Sequence, residues 1–194
     1  MPILAAYGHS YVLGSAATTT SRRFVNIVTS RLGSALENNG VGGALSTDTA
    51  EKVMARPPAA ADHYLLMTGV NDARLYGSSR MALDDYGSAL GQMFGAFLGV
   101  DPRCQVIAVA HPHLQDYSQH APYDHACDEL LDAYNRRLEE IAEQYSQVSV
   151  ATVEDWDTRT MLAVDTVHPN DLGHQKLAQA VLRALETSGP LCIP

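Results

Sequence analysis

Cysteine is scarce in this chain of 194 residues: Cys104, Cys127 and Cys192 are the whole supply. They are odd in number and widely spaced, with no C-x-x-C pair. Neither a disulfide scaffold nor a metal or redox motif is indicated, and the thiols read as buried or incidental. Basic residues are also few, 13 Lys and Arg against 22 Asp and Glu, for a net charge of -9. No run of Lys or Arg occurs, which argues against nucleic acid or an anionic membrane as partner. A neutral, cationic or locally recognised small molecule is easier to accommodate. Long hydrophobic runs are missing too; the longest, such as residues 106–110, are strand-sized, so none reaches the length that spans a bilayer. Apolar sequence begins at Ile3 without a basic leader or cleavage site. The expectation is a cytoplasmic protein, or a secreted one if a leader has been removed.

What remains is an alternation of strand-like and helix-like segments. Ile3, Leu4, Ala5, Ala6 and Tyr7 read as a short buried strand, followed by a Gly/Ser/Thr-rich loop over 14–20. Ser21 is expected to cap a helix carrying Phe24, Ile27, Val28 and Leu32. A poorly marked second strand is expected over 35–41 and a third over His63–Met67. Residues 81–98 carry apolar side chains at 83, 86, 90, 93, 94 and 97, a helical stripe whose Met and aromatic residues read as core. The clearest strand is 104–110, bounded by Asp101-Pro102 and His111-Pro112. A second stripe over 124–145 uses Leu130, Leu131, Tyr134, Leu138, Ile141 and Tyr145. Residues 148–153 give a fifth strand, and Asn170 or Asp171 caps a last helix with Leu177, Val181 and Leu185, ending before Gly189-Pro190. Single short strands alternating with helices imply a parallel sheet covered on both faces. The length fits one domain, 1–194, and neither an internal repeat nor a low-complexity tract divides it.

Three loops that follow strand-like runs offer the groups acyl transfer requires. Gly8-His9-Ser10 supplies a hydroxyl just past the first strand, at the sheet edge where α/β proteins build sites. Asn39-Gly40-Val41-Gly42-Gly43 offers backbone N–H groups unshielded by side chains, and Gly69-Val70-Asn71-Asp72 offers a carboxamide. Far away, Asp165-Thr166-Val167-His168-Pro169 places an imidazole three residues after a carboxylate. A serine hydroxyl needs a base to take its proton, and that base needs a partner to hold its tautomer. Preorganised N–H donors facing a tetrahedral oxyanion are worth about 3–4 kcal/mol each.

In these four blocks, in this order, the chain resembles the SGNH (GDSL-type) hydrolase family. The resemblance spans Gly8 to His174, and G-x-N-D together with D-x-x-H-P is its most specific part. It implies a three-layer α/β/α, flavodoxin-like fold with a five-stranded parallel sheet and helices on both faces. It further implies Ser10 as nucleophile, His168 as base and Asp165 orienting His168. The oxyanion hole it implies is the Ser10 N–H, the Gly43 N–H and the Asn71 side chain. Gly43 is preferred to Gly42 because the family's N-x-G-x-x-G spacing, counted from Asn38, ends there. No metal or organic cofactor is implied. One departure stands out: the family has Asp where this chain has His9, a residue outside the triad. His9 is also a decoy base beside the nucleophile, although neighbours on a turn usually point apart. The G-x-S-x-G elbow of α/β-hydrolases does not fit, since position 12 is Val and Ser10 lies almost at the N-terminus.

The expected activity is hydrolysis of an ester through an acyl-enzyme, lost as the base becomes protonated. A polar and aromatic stretch over 111–123, with no lid-length insertion, favours short acyl groups such as acetyl on a sugar or glycan. Small lipid esters, thioesters and acyl transfer to a second alcohol share the same triad. Tyr11, Arg74, Tyr76, His111 and His113 are candidate substrate contacts, with core or a surface loop as the plainer reading of Tyr11 and of Arg74 and Tyr76. His63 and His174 read as packing or capping residues, and Asp72 as a brace. His111, His113, His120 and His125 with Asp116, Asp124 and Cys127 invite a zinc reading, which a polar substrate-facing loop explains without metal. Two rivals remain: a non-catalytic binding module that keeps the fold, which His9 alone favours, and a flavodoxin-like nucleotide or flavin binder, which lacks a Gly-rich phosphate loop.

Overall fold

The computed structural model describes residues 1–187; Cys192 and the segment around Gly189-Pro190 lie outside them. Five parallel strands, β1 (Ile3–Gly8), β2 (Ala35–Gly40), β3 (His63–Met67), β4 (Gln105–Val109) and β5 (Val148–Ala151), form one sheet in the order β2-β1-β3-β4-β5. Successive side chains of a strand point to opposite faces, and the core divides accordingly. Ala5, Tyr7, Tyr64, Leu66, Val106 and Ala108 lie in one cluster; Leu4, Ala6, Leu65, Met67, Ile107 and Val109 lie in the other. With both faces covered, β1, β3 and β4 read as continuous apolar runs.

The first face is covered by α3 (Ser46–Ala55), α5 (Arg80–Val100) and α6 (Asp128–Ala142), the second by α2 (Phe24–Leu32) and α8 (Asp171–Thr187). The stripe of α5 is buried at Tyr86, Leu90, Met93, Phe94 and Phe97, and Phe97 stacks on Tyr64 with ring centroids 4.6 Å apart. Burying each such side chain is worth about 1.5–3 kcal/mol. Short helices α1 (Ser10–Leu13), α4 (Val70–Tyr76) and α7 (Thr158–Met161) sit at chain turns. Among the described residues no helix is long and apolar enough to cross a membrane.

Several expectations need correction. Ser21 does not cap α2 but lies in a 3-10 turn (Thr20–Arg22); the Phe24 N–H donates instead to His174 Nδ1 at 3.3 Å. Met81 is exposed rather than core. Helix α6 is shorter than 124–145; before it the His125 N–H donates to the Arg74 carbonyl of α4 at 3.0 Å, and the helix begins at Asp128. Strand β5 stops at Ala151, whose carbonyl accepts the Ala110 N–H beyond the end of β4. Asn170 does cap α8, its Oδ1 accepting from the N–H of Leu172 (2.9 Å) and Gly173 (3.1 Å).

Strand β1 leads to β2 on one side and is flanked by β3 on the other, so the order reverses beside its carboxyl end. Chain ends diverge there and leave a crevice. Ser10 is the second residue past that strand end.

Candidate functional site

Gly8 turns the chain out of β1 at φ +138°, where a Cβ would run into the Met67 carbonyl of β3. Only glycine fits this approach. Its own carbonyl accepts the Val41 N–H at 2.9 Å, tying the first block to the second. His9 then caps α1, its Nδ1 accepting the Tyr11 N–H at 3.3 Å, and Ser10 opens the helix half-buried. Gly14, in the left-handed region at φ 93°, closes it.

The other half of the site lies between α7 and α8. Asp165 Oδ1 accepts two backbone N–H groups, from Val167 at 3.1 Å and His168 at 2.9 Å, while Oδ2 lies 2.7 Å from His168 Nδ1. Thr166 takes the left-handed backbone (φ 64°) that this tight loop demands. The Ala163 N–H donates to the His168 carbonyl at 2.8 Å, and Asn170 Nδ2 donates to the carbonyls of Thr160 and Leu162. The imidazole is thus fixed from both sides. Beside a carboxylate Nδ1 carries the proton, so the lone pair of Nε2 faces the Ser10 Oγ, 3.0 Å away. Burial alone would raise the Asp165 carboxyl, but the bonds from His168 and Val167 win and hold it below its ordinary value. A hydroxyl, an imidazole and a carboxylate in this file can pass the serine proton to the imidazole, with the carboxylate stabilising the resulting cation.

Asn71 is the second residue of α4 and is buried; one amide hydrogen goes to the Ala44 carbonyl at 3.0 Å, leaving the second. That bond joins α4 to the loop carrying Gly42 and Gly43, and Gly43 sits at φ +75°. Asp72 braces the same junction: its carboxylate accepts from both the N–H and the hydroxyl of Ser46 at the start of α3. Burial pushes its pKa up, against those bonds. Asn38, which entered the sequence reading only as a counting point, accepts the Gly40 N–H and donates to the Val12 carbonyl, both at 2.9 Å. It pins the second block to α1.

The expected substrate contacts divide. Tyr76 and His113 reach solvent, His113 with its Nε2 2.8 Å from Asp132. Tyr11 is fully buried and donates its phenolic hydrogen to the Val167 carbonyl. His111 is buried as well, clasped by Asn135, whose side chain bonds both its N–H and its carbonyl at 2.9 Å. Arg74 is neither a surface residue nor open to substrate: it is 5% exposed, donates to the Gln119 carbonyl at 2.9 Å and lies 6.0 Å over the Tyr123 ring. It anchors the loop over 110–127, as does Trp156, whose indole donates to the His113 carbonyl at 2.9 Å. Tyr11, His111 and Arg74 are thus buried, while Tyr76 and His113 are open to solvent. His174 packs and caps as expected, bonding Phe24 and the Ser15 carbonyl. Among the described residues no three His, Cys, Asp or Glu side chains are grouped as a metal ion would require.

Two cavities of about 450 Å³ flank the second block. One is lined by Glu37, Asn38, Asn39, Lys52, Arg56 and Pro57 among others, the other by residues 41–44 with Asp48 and Lys52. Neither is lined by Ser10, Asp165 or His168.

The model of the GDSL-like Lipase/Acylhydrolase family matches residues 6–176. Solved structures share the fold at low identity. A lipase/acylhydrolase from Enterococcus faecalis is 17% identical with a TM-score of 0.71, over 96% of each chain. An acetylxylan esterase from Geobacillus stearothermophilus is 22% identical with a TM-score of 0.66, over 95% of this chain and 94% of its own. A protein from Lactobacillus plantarum is 18% identical with a TM-score of 0.76, over 97% of this chain and 98% of its own. No curated protein sequence matches the chain.

Proposed function

This chain belongs to the GDSL-like Lipase/Acylhydrolase family and is a carboxylic ester hydrolase, and from that premise we propose that it removes short acyl groups, acetyl above all, from carbohydrate through a Ser10–His168–Asp165 triad. The observation that carries this reading is the unbroken file of polar atoms, 3.0 Å from Ser10 Oγ to His168 Nε2 and 2.7 Å from His168 Nδ1 to Asp165.

The Ser10 oxygen attacks the ester carbonyl as its proton passes to His168 Nε2, and Asp165 stabilises the imidazolium. The oxyanion is met by the N–H of Ser10, the N–H of Gly43 and the free hydrogen of the Asn71 amide. His168 returns the proton to the departing alcohol; water, deprotonated by the same ring, then releases the acid and regenerates Ser10. The short-acyl, carbohydrate part of the reading is supported by the surroundings. The cavity beside Asn38 mixes Glu37, Asn39 and Lys52, which suit hydroxyls, with Val53, Pro57 and Pro58, which suit a short apolar group. The fold shared with an acetylxylan esterase points the same way.

A panel of p-nitrophenyl esters of graded chain length, with acetylated sugars, tests it beside Ser10→Ala. Turnover of acetyl esters that declines with chain length is expected, and Ser10→Ala lowers kcat by about 10³–10⁶. Retention of most activity by Ser10→Ala ends the triad reading; a preference for long acyl chains ends the substrate reading.

A further inference from the structure

Behind Ser10 lie three buried nitrogens without a hydrogen-bond partner among the described residues: His9 Nε2, His111 Nε2 and Arg74 Nε. Buried polar atoms are almost always paired, so such a cluster calls for a physical account. The rings of His9 and His111 are 5.3 Å apart, tilted by 35°, and Tyr11 packs against both at 5.2 and 4.4 Å.

The far side of each ring fixes its proton. His9 Nδ1 accepts the Tyr11 N–H, so it bears the lone pair and a neutral His9 carries its hydrogen on Nε2. His111 Nδ1 lies 2.7 Å from the Pro112 carbonyl, which can only accept, so the hydrogen is on Nδ1 and Nε2 bears the lone pair. Burial holds both rings uncharged. It drives His9 well below its ordinary value, with His111, His168 and Arg74 adding to the effect. It lowers His111 to about 3, against the bond to Pro112 and helped by Arg74, His168 and His113. One orphan is therefore a donor and its neighbour an acceptor.

We propose that His9 and His111 form a donor–acceptor imidazole pair, His9 Nε2–H reaching His111 Nε2 through one shared water, and that His9 is thereby a positioning residue for the Ser10 turn. The pair links the cap of α1 to the loop that Asn135 and Arg74 hold. Its anchor is thus outside the short helix that carries the nucleophile. Arg74 Nε–H is a further unpaired donor, and the Arg74 charge adds to the burial that holds both rings neutral. The positioning role rests on Ser10 being the nucleophile; the pairing itself does not.

Imidazole ¹⁵N–¹H correlation spectra of the labelled protein between pH 5 and 8 test the pairing, with His9→Asn and His111→Leu as assignment controls. The expected result is opposite tautomers, Nε2–H for His9 and Nδ1–H for His111, neither ring titrating over the range. A Nδ1–H form of His9, or an ordinary titration of either ring, overturns the proposal. Kinetics test the role. His9→Asn keeps an acceptor for the Tyr11 N–H but lacks the Nε2 hydrogen, and lowers kcat by about 10- to 100-fold with KM within about twofold. His111→Leu matches it, His111→Gln restores part of the loss by offering an acceptor, and the double variant His9→Asn/His111→Leu is no worse than either single one. Additive losses assign His111 to Arg74 instead and overturn the pairing. Should the leucine variant fail to fold, the tautomers of the unaltered protein still decide. Opposite tautomers alongside an active Ser10→Ala would leave the pair standing and remove the triad.

Discussion

Tyr11, the residue after Ser10, donates its phenolic hydrogen to the carbonyl of Val167, the residue before His168. This buried bond joins two segments 156 positions apart, next in sequence to the Ser10–His168 contact. Tyr11→Phe leaves the Val167 carbonyl unpaired, at about 1–3 kcal/mol. Urea unfolding is expected to show that loss, and kcat to fall more than KM changes. An unchanged unfolding midpoint would mean that the bond carries no weight.

Asp165 has two tasks on its two oxygens. Oδ1 shapes the loop through Val167 and His168, and Oδ2 holds the ring. Asp165→Asn keeps one acceptor for the loop but presents an amide to His168 Nδ1 and favours the wrong tautomer. A drop in kcat of about 10³–10⁴ is expected, with near-native circular dichroism. Activity within tenfold of the parent would show that His168 needs no carboxylate.

Asn71 spends one amide hydrogen on Ala44, and in the proposed mechanism the other meets the oxyanion. Asn71→Ala is expected to lower kcat by about 10²–10³ while KM moves little, since the charge it meets exists only in the transition state. A change confined to KM would assign the side chain to ground-state binding.

Stability should decline with acid in a window set by buried histidines. His9, His111 and His174 all lie below the ordinary 6.5, burial being the chief cause. Below pH 6.5 the unfolded chain binds protons that these rings refuse, so acid favours unfolding. The contribution is complete above about pH 6.5 and is lost progressively toward pH 3, where His111 itself takes up a proton. His111 alone accounts for about 2 kcal/mol at pH 5. Asp72, raised by burial, works in the opposite sense. Urea titrations at pH 7 and pH 5 measure the sum; equal midpoints would count against neutral buried rings.

The sheet was legible because strands buried on both faces leave apolar runs, and His63–Met67 was read to the residue. Helices lacking a stripe were not. The buried face of α3 is Ser46, Thr49, Ala50 and Val53, too small and polar to mark a period, and α1, α4 and α7 are too short to show one. At the site, Asp165 and His168 stand three residues apart, and their pairing is a local matter that a motif records. Arg74 shows the opposite case. A guanidinium reads as surface until Gln119 and Tyr123, more than 40 positions on, fold over it. Asn135 and Trp156 reach their partners across 24 and 43 positions and leave no trace in local pattern.

Ser10 belongs to the first strand turn and His168 to the approach of α8, so each arrives with a different end of the described chain. During translation the hydroxyl emerges early and stays chemically idle while some 150 further residues are added. If these two residues act as proposed, ester cleavage must wait until both segments are made and have met. On the proposed triad its onset marks the docking of the segment that leads into α8, which makes turnover a reporter of that contact.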